Sequence, residues 1–261
     1  MRKFGISKEL EELAIVVEEE IKEVFKKIDK ACSDNSFKVL KAFNENNISE
    51  IHFNSTTGYG YGDIGREAIE KVFANVLGAE DSLVRNQIIS GTHALTICLF
   101  GVLRPKDTVL SITGKPYDTL DSIIGIKENN SSLKSYGINY EQIDLINNNF
   151  NIPQILERID VGAGLKTCPK LVFIQRSKGY SQRKSICIWQ MEEVISKIRE
   201  KNKEIIIMVD NCYGEFVEEK EPTAIGADII AGSLIKNLGG GLVPSRGIYS
   251  RKKRFGGIVQ L

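Results

Sequence analysis

The sequence predicts an α/β fold, a mostly parallel sheet with helices on both faces, and two observations carry that prediction. Short apolar runs alternate with amphipathic stretches from residue 83 to residue 250. Two of these runs also end in polar groups. EIIIMVD reads as a buried strand ending in Asp210, and ADIIAGS reads as another ending in Ser233, with Lys236 just beyond. In an open α/β sheet, ligands bind outside the carboxyl ends of the strands.

Residues 1–50 are expected to form an N-terminal helical arm, and residues 51–261 one large domain. Within 7–29, Leu10, Leu13, Ile15, Val16, Ile21, Val24, Phe25 and Ile28 recur at helical spacing. The acidic start and basic end of that stretch suit the helix dipole. Residues 36–47 read as a second helix, and no strand precedes either, which places the arm outside the sheet. The loop HFNSTTGYGYGDIG leads into a helix near Ile64, with Ile69, Val72, Phe73 and Val76 on one face. The alternation follows. Strands are expected at Leu83–Ile89, Thr108–Ile112, Ile138–Leu145, Leu171–Gln175, Ile205–Asp210, 227–232 and 247–250. Helices are expected at Thr92–Leu103, 117–126, Ile152–Ile159 and 189–201.

Composition removes several function classes. The 35 basic residues balance 34 acidic ones, which argues against nucleic acid as a partner. Cys32, Cys98, Cys168, Cys187 and Cys212 form no CxxC pair, which argues against a disulfide framework or structural zinc and fits a reducing, cytoplasmic compartment. The opening MRKFGISKELEELAIVVEEE is studded with acids, unlike a signal peptide. No run approaches the roughly 20 apolar residues of a membrane helix. His52 and His93 show no HxH or HExxH spacing, so a zinc enzyme and a Ser-His-Asp triad are both poor readings. No P-loop is present, which weakens a nucleotide-binding module.

Five stretches could carry chemistry. SGTHA at 90–94 opens an apolar helix, whose free backbone N–H groups and dipole suit an anion, with Ser90 and Thr92 hydroxyls as added donors. The same residues equally suit an ordinary N-cap. Tyr117, in TGKPYDTL, follows a strand end and could cover a flat ring or simply pack; Lys115 beside it reads as a solvated charge. Asp210, behind an apolar run, needs a cationic partner, and Cys212 after it reads as packing. In GSLIKNLGGG, apolar and glycine neighbours set Lys236 apart from a solvated charge run, and the glycines permit close backbone approach. In QRSKGYSQRKS at 175–185, Lys178 and Lys184 read as exposed, and Arg176 and Arg183 stay open. A carboxylate and an amine at one sheet edge fit pyridoxal 5'-phosphate, which takes a lysine at its aldehyde and an acid at its ring nitrogen.

Taken in order, the glycine–tyrosine loop, SGTHA, GKPY, VDNCYGEF and GSLIKNLGGG resemble the fold-type I pyridoxal-phosphate enzymes. Within these they are similar to the Cys/Met-metabolism branch that contains cystathionine lyases and methionine gamma-lyase. The wording SGTHAL, LFGVLRP, TGKPYDTL, IQRSKGYS, DNCYGEF and GSLIKNLGGGLVPS resembles more closely still the bacterial aluminium resistance, or methionine gamma-lyase-like, proteins. The resemblance runs over roughly 50–250.

The resemblance implies a large domain built on a seven-stranded-type sheet, pyridoxal 5'-phosphate as cofactor, and carbon–sulfur elimination from a cystathionine- or methionine-type amino acid. Lys236 would bond the cofactor and move the substrate's α-proton. Asp210 would pair with the pyridine nitrogen, and Tyr117 would stack on the ring. Ser90, Gly91, Thr92 and Ser233 would hold the phosphate. Tyr59 or Tyr61 would reach the phosphate of a neighbouring subunit's cofactor, implying a homodimer or homotetramer with sites at the interface; Arg66 is a weaker candidate in that loop. Relatives continue past the lysine into a C-terminal domain that supplies an arginine for the substrate carboxylate. Here only a short tail, ending SRKKRFGGIVQL, follows. The expectation is a C-terminally truncated chain with the small domain largely missing. It leaves open a lyase or a catalytically inactive protein that binds cofactor or partners only.

Overall fold

The computed structural model describes residues 4–56, 62–160, 167–239, 242–243 and 245–252. The arm consists of α1 (Lys8–Glu20) and α2 (Lys22–Glu45), followed by α3 (Ile64–Leu77). The alternating part comprises β1 (Asp81–Val84), α4 (Gly91–Val102), β2 (Thr108–Ser111), α5 (Asp121–Ile124), β3 (Asn139–Gln142), α6 (Ile152–Ile159), β4 (Leu171–Gln175), α7 (Ile188–Lys201), β5 (Ile206–Asp210), β6 (Ile229–Ser233) and β7 (Gly247–Arg251).

The strands form one seven-stranded sheet in the order β1-β7-β6-β5-β4-β2-β3. β3, β2, β4, β5 and β6 are parallel neighbours. β7 runs antiparallel to both β6 and β1, so β1 points the same way as the parallel set. The register aligns Gln175 with Asp210 and Asp210 with Ala231, bringing the carboxyl ends of β4, β5 and β6 to one rim.

Side chains alternate between two apolar cores. Ile174, Val209, Ile230 and Ile248 face α6 and α7 with Ile155, Met191 and Ile195. Phe173, Met208, Ile229, Ala231 and Tyr249 face α4 with Ala94, Leu95, Cys98 and Leu99. Both faces being covered explains why the central strands are continuously apolar. Each such Ile or Leu contributes about 1.5–3 kcal/mol on burial.

Several elements depart from the sequence expectation. The helix expected over 7–29 breaks at Ile21, and the second helix, expected over 36–47, begins at Lys22 and runs unbroken through Ser33–Ser36. Polar residues there would ordinarily compete for the helix backbone. Asn35 is instead buried, and its Nδ2 donates to the carbonyls of Phe216 (3.1 Å) and Glu218 (3.2 Å). The strand expected over 83–89 lies at 81–84, because its pairing with β7 ends at Val84–Ile248. Residues 85–89 form a turn closed by Ile88 N to Arg85 O, which delivers Ser90 to α4. The helix expected over 117–126 is a short 3-10 turn, Asp118–Leu120, plus α5, stopped by left-handed Gly125. The strand over 138–145 shortens to Asn139–Gln142 at the sheet edge. α1 buries none of its residues, and Leu10, Leu13, Phe37 and Leu40 leave a broad exposed apolar face on the arm. Among the described residues no helix is long and apolar enough to cross a membrane.

Candidate functional site

The rim formed by the ends of β4, β5 and β6 and the start of α4 encloses a cavity of about 520 Å³. Ser90, Gly91, Thr92, Tyr117, Asp210, Ser233 and Lys236 all line it, so residues spread over most of the chain meet in one place. Tyr59 and Tyr61 lie outside the described residues. Arg66, in the first turn of α3, donates its backbone N–H to Asp63 and does not line this cavity.

Each group is placed by its element. Asp210 ends β5 and is 4% exposed; its Oδ1 accepts from Cys212 N at 3.0 Å. Burial raises its carboxyl above the ordinary range, which the Cys212 hydrogen bonds and the Lys236 charge partly offset. Ser90 caps α4 by accepting from His93 N at 3.1 Å, so its hydroxyl does serve as an N-cap. The next amides, of Gly91 and Thr92, open the helix. A Cβ on Gly91 would lie 3.0 Å from Cys212 Sγ and 3.1 Å from Ser233 Cβ. Only glycine lets α4 approach the ends of β5 and β6 this closely. Ser233 is 1% exposed, and its Oγ is buried without a hydrogen-bond partner among the described residues. A buried hydroxyl left unpaired costs free energy, so a ligand acceptor at this point relieves it.

Lys236 follows β6 in a turn closed by its own N–H to Ser233 O. Its Nζ lies 4.1 Å from the centroid of the Tyr213 ring. On the other side, Tyr117 is held by its N–H to Gln175 Oε1 at 2.5 Å. Its ring meets Tyr180 at 5.3 Å between centroids with planes tilted by 33°. The Tyr180 hydroxyl beside it pushes the Tyr117 phenol up to about 12. Gly179, with φ of 58°, has only 3.2 Å between its Cβ position and Tyr117 Cδ2, so this pair also needs a glycine.

The basic loop after β4 is settled by geometry. Arg176 is 3% exposed and donates to Asn211 Oδ1 (2.9 Å), Gly214 O (2.6 Å) and Glu218 Oε2 (2.5 Å). It therefore clamps the loop after Asp210 and does not face the cavity. Arg183 donates to the carbonyls of Gln175 and Ser177. Lys178 is exposed at the cavity mouth, and Lys184 is exposed away from it. Lys115 pairs with Asp121 at 2.7 Å on the surface. Cys212 is buried, and burial raises its thiol, consistent with packing.

Sequence reasoning missed three cavity residues and one neighbour. Tyr180 and Gly179 sit in KGY, a glycine–aromatic pair after a strand end like GKPY, and that signal was readable. Tyr213 could have been flagged as an aromatic just past Asp210. Glu215 carried no local signal; its burial depends on β6 packing over it. A second cavity of about 440 Å³, between α2 and α3, is lined by Phe43, Val72, Phe73 and Phe216 and offers no titratable group but His52. Among the described residues no cluster of three or more His, Cys, Asp or Glu is placed to hold a metal.

Comparison with known proteins agrees on one lineage. The methionine gamma-lyase family model matches residues 10–256. The uncharacterized protein YnbB of Bacillus subtilis is 47% identical over 251 residues, covering 94% of this chain and 58% of its own length. A Clostridium acetobutylicum structure, described as a candidate cystathionine beta-lyase involved in aluminum resistance, superposes with a TM-score of 0.91 at 46% identity. That match covers 98% of this chain and 60% of the other. The carbon-sulfur lyase involved in aluminum resistance from Clostridium novyi NT gives a TM-score of 0.89 at 44% identity, over 97% and 60% of the two chains. The chain thus spans about three-fifths of the length of these relatives. With nearly its whole length matched, it belongs to the methionine gamma-lyase family.

Proposed function

We propose that this chain forms the cofactor-binding domain of a pyridoxal-phosphate-dependent carbon–sulfur lyase acting on a cystathionine- or methionine-type amino acid. One observation carries the reading. A single cavity joins an amine (Lys236), a buried acid (Asp210), an aromatic face (Tyr117) and a helix start beside the unpaired Ser233 hydroxyl.

The residues fit the cofactor chemically. The Gly91 and Thr92 amides and Ser233 Oγ suit a phosphate. The buried Asp210 carboxyl suits a protonated ring nitrogen, which would supply the cation its burial requires. Tyr117, backed by Tyr180, suits the ring face. When bound, the cofactor supplies an electron sink for charge developing at the substrate's α-carbon. Lys236, whose resting contact is the Tyr213 ring, would take the α-proton at Nζ once that amine has given up its own proton. The Tyr117–Tyr180 pair covers the cavity and limits water at that carbon.

In this reading residues 1–50 are an arm and the remainder the large domain of a cytoplasmic homodimer or homotetramer. The exposed apolar face of α1 and α2 supports association, and Tyr59 or Tyr61 would complete a neighbour's site. The alternative, second reading is cofactor binding without turnover. Protein purified with added pyridoxal phosphate should absorb in the visible and release thiol and keto acid from cystathionine or methionine. Absorbance without release favours the second reading; neither signal rejects both.

A further inference from the structure

We propose that Glu215 is a proton-linked positioning residue for the anion seat formed by Ser90, Gly91, Thr92 and Ser233: the seat takes a dianion with Glu215 protonated, and its affinity falls when Glu215 ionises. The inference rests on the phosphate role given to that seat above.

Glu215 braces the segment that carries Lys236 from two sides. Its Oε1 accepts from Ser233 N at 3.1 Å, and its carbonyl accepts from Asn237 Nδ2 at 3.1 Å. The packing is close: a Cβ on Gly232 would lie 2.3 Å from Glu215 Oε1. The carboxyl is thus the strut behind Ser233, a residue that lines the cavity. Any charge on it sits one residue's backbone away from the proposed seat.

The surroundings disfavour that charge. Glu215 is 3% exposed, and its Oε2 is buried without a hydrogen-bond partner among the described residues. A carboxylate with one oxygen undonated in a dry site is expensive, and the neutral acid is less so. The titratable groups around it are the acids Asp210, at the end of β5, and Glu221, which both oppose its ionisation, and the buried Cys212 thiol. Of the nearby cations, Arg176 is committed to Asn211, Gly214 and Glu218, and Lys236 sits over Tyr213. Burial, joined by these like charges and opposed by the backbone N–H bonds from Glu215 itself and Ser233, pushes Glu215 up to about 7.

A dianion on the far side of Ser233 adds repulsion to the ionised form. By linkage, ionised Glu215 must weaken the dianion by the same factor. The role concerns Ser233 and the seat, and assigns Glu215 no part in the chemistry at Lys236.

The test uses sulfate, which stays a dianion across the range, with calorimetric titration of the full chain between pH 5.5 and 8.5. Wild-type affinity should fall about tenfold or more as pH rises through 7, tenfold being one unit of coupling. Glu215→Gln, which mimics the protonated side chain, should bind with the wild-type low-pH affinity and show little pH dependence. A pH-independent wild type, or a Gln variant that keeps the wild-type slope, overturns the role of Glu215. No sulfate binding at any pH by either protein overturns the seat itself and this inference with it. Should the variant fold poorly, the wild type alone decides. Titration near pH 7.5 in buffers of different ionisation enthalpy should show fractional proton uptake with sulfate, and none overturns the proposal.

Discussion

Lys236 Nζ rests 4.1 Å from the centre of the Tyr213 ring, and Tyr213 reaches it from a left-handed backbone with φ of 68°. Holding a residue with a Cβ in that conformation costs on the order of 1–2 kcal/mol, while an exposed cation–ring contact returns about 0.5–1 kcal/mol. The two terms can be separated. Tyr213→Ala keeps the strain and loses the ring, and should destabilise by about 0.5–1 kcal/mol. Tyr213→Gly also loses the ring but relieves the strain, and should be at least as stable as wild type. Urea unfolding of both variants decides, and an equal loss in the two would sink the strain argument.

Gly91 is the second test. Its Cβ position is 3.0 Å from Cys212 Sγ, so Gly91→Ala should cost about 1–3 kcal/mol through overpacking and weaken sulfate and cofactor binding together. Adding Cys212→Ala should recover part of the loss, with a coupling of about 0.5–3 kcal/mol. Strict additivity in the double variant would show that the clash is not with Cys212.

Glu215 also makes a stability prediction independent of any ligand. Folding moves it from an ordinary 4.5 up to about 7. As pH rises through this window the unfolded chain releases the proton first, so the folded state loses stability from about 4.5 to about 7 and levels off above. Glu215→Gln removes that loss. Its stability relative to wild type should climb by on the order of a few kcal/mol across the window. Chemical denaturation at a series of pH values reads it, and a flat difference would refute the burial argument.

Lys236→Ala should leave no borohydride-reducible cofactor adduct on the chain, by absorbance and peptide mass. A lysine adduct surviving in that variant would point to another lysine. Asp210→Asn should keep the adduct but lower turnover about 100-fold or more, since the ring nitrogen would no longer be held protonated as an electron sink. Unchanged turnover would remove Asp210 from the ring nitrogen.

Much of this was readable from local pattern. Asp210, Ser233 and Lys236 follow apolar runs whose hydropathy alone marks buried strands, and SGTHA opens a helix by its capping chemistry. What escaped depends on distant residues. α2 continues through Asn35 because carbonyls near residue 217 receive its amide. Arg176 looked like one of four loop cations and is in fact buried against the loop after Asp210. The position of β7 is the clearest case. Nothing in GIYSR says that it runs antiparallel or that it sits between β6 and β1.

That position bears on the order in which the molecule assembles. β7 is the last of the described strands, yet it fills the gap between β6 and a strand 170 positions earlier, tied by Arg251 to Asp81 at 2.8 Å. Gly247 N–H also pins Ile88 O at 2.6 Å, in the turn that leads to Ser90. Pairings this far apart in sequence form late, because long loops must close first. A nascent chain emerging from the ribosome therefore exposes the strands leading to Asp210 and Lys236 before β7 fastens the turn ahead of α4, so the cavity takes its final shape only once β7 has paired.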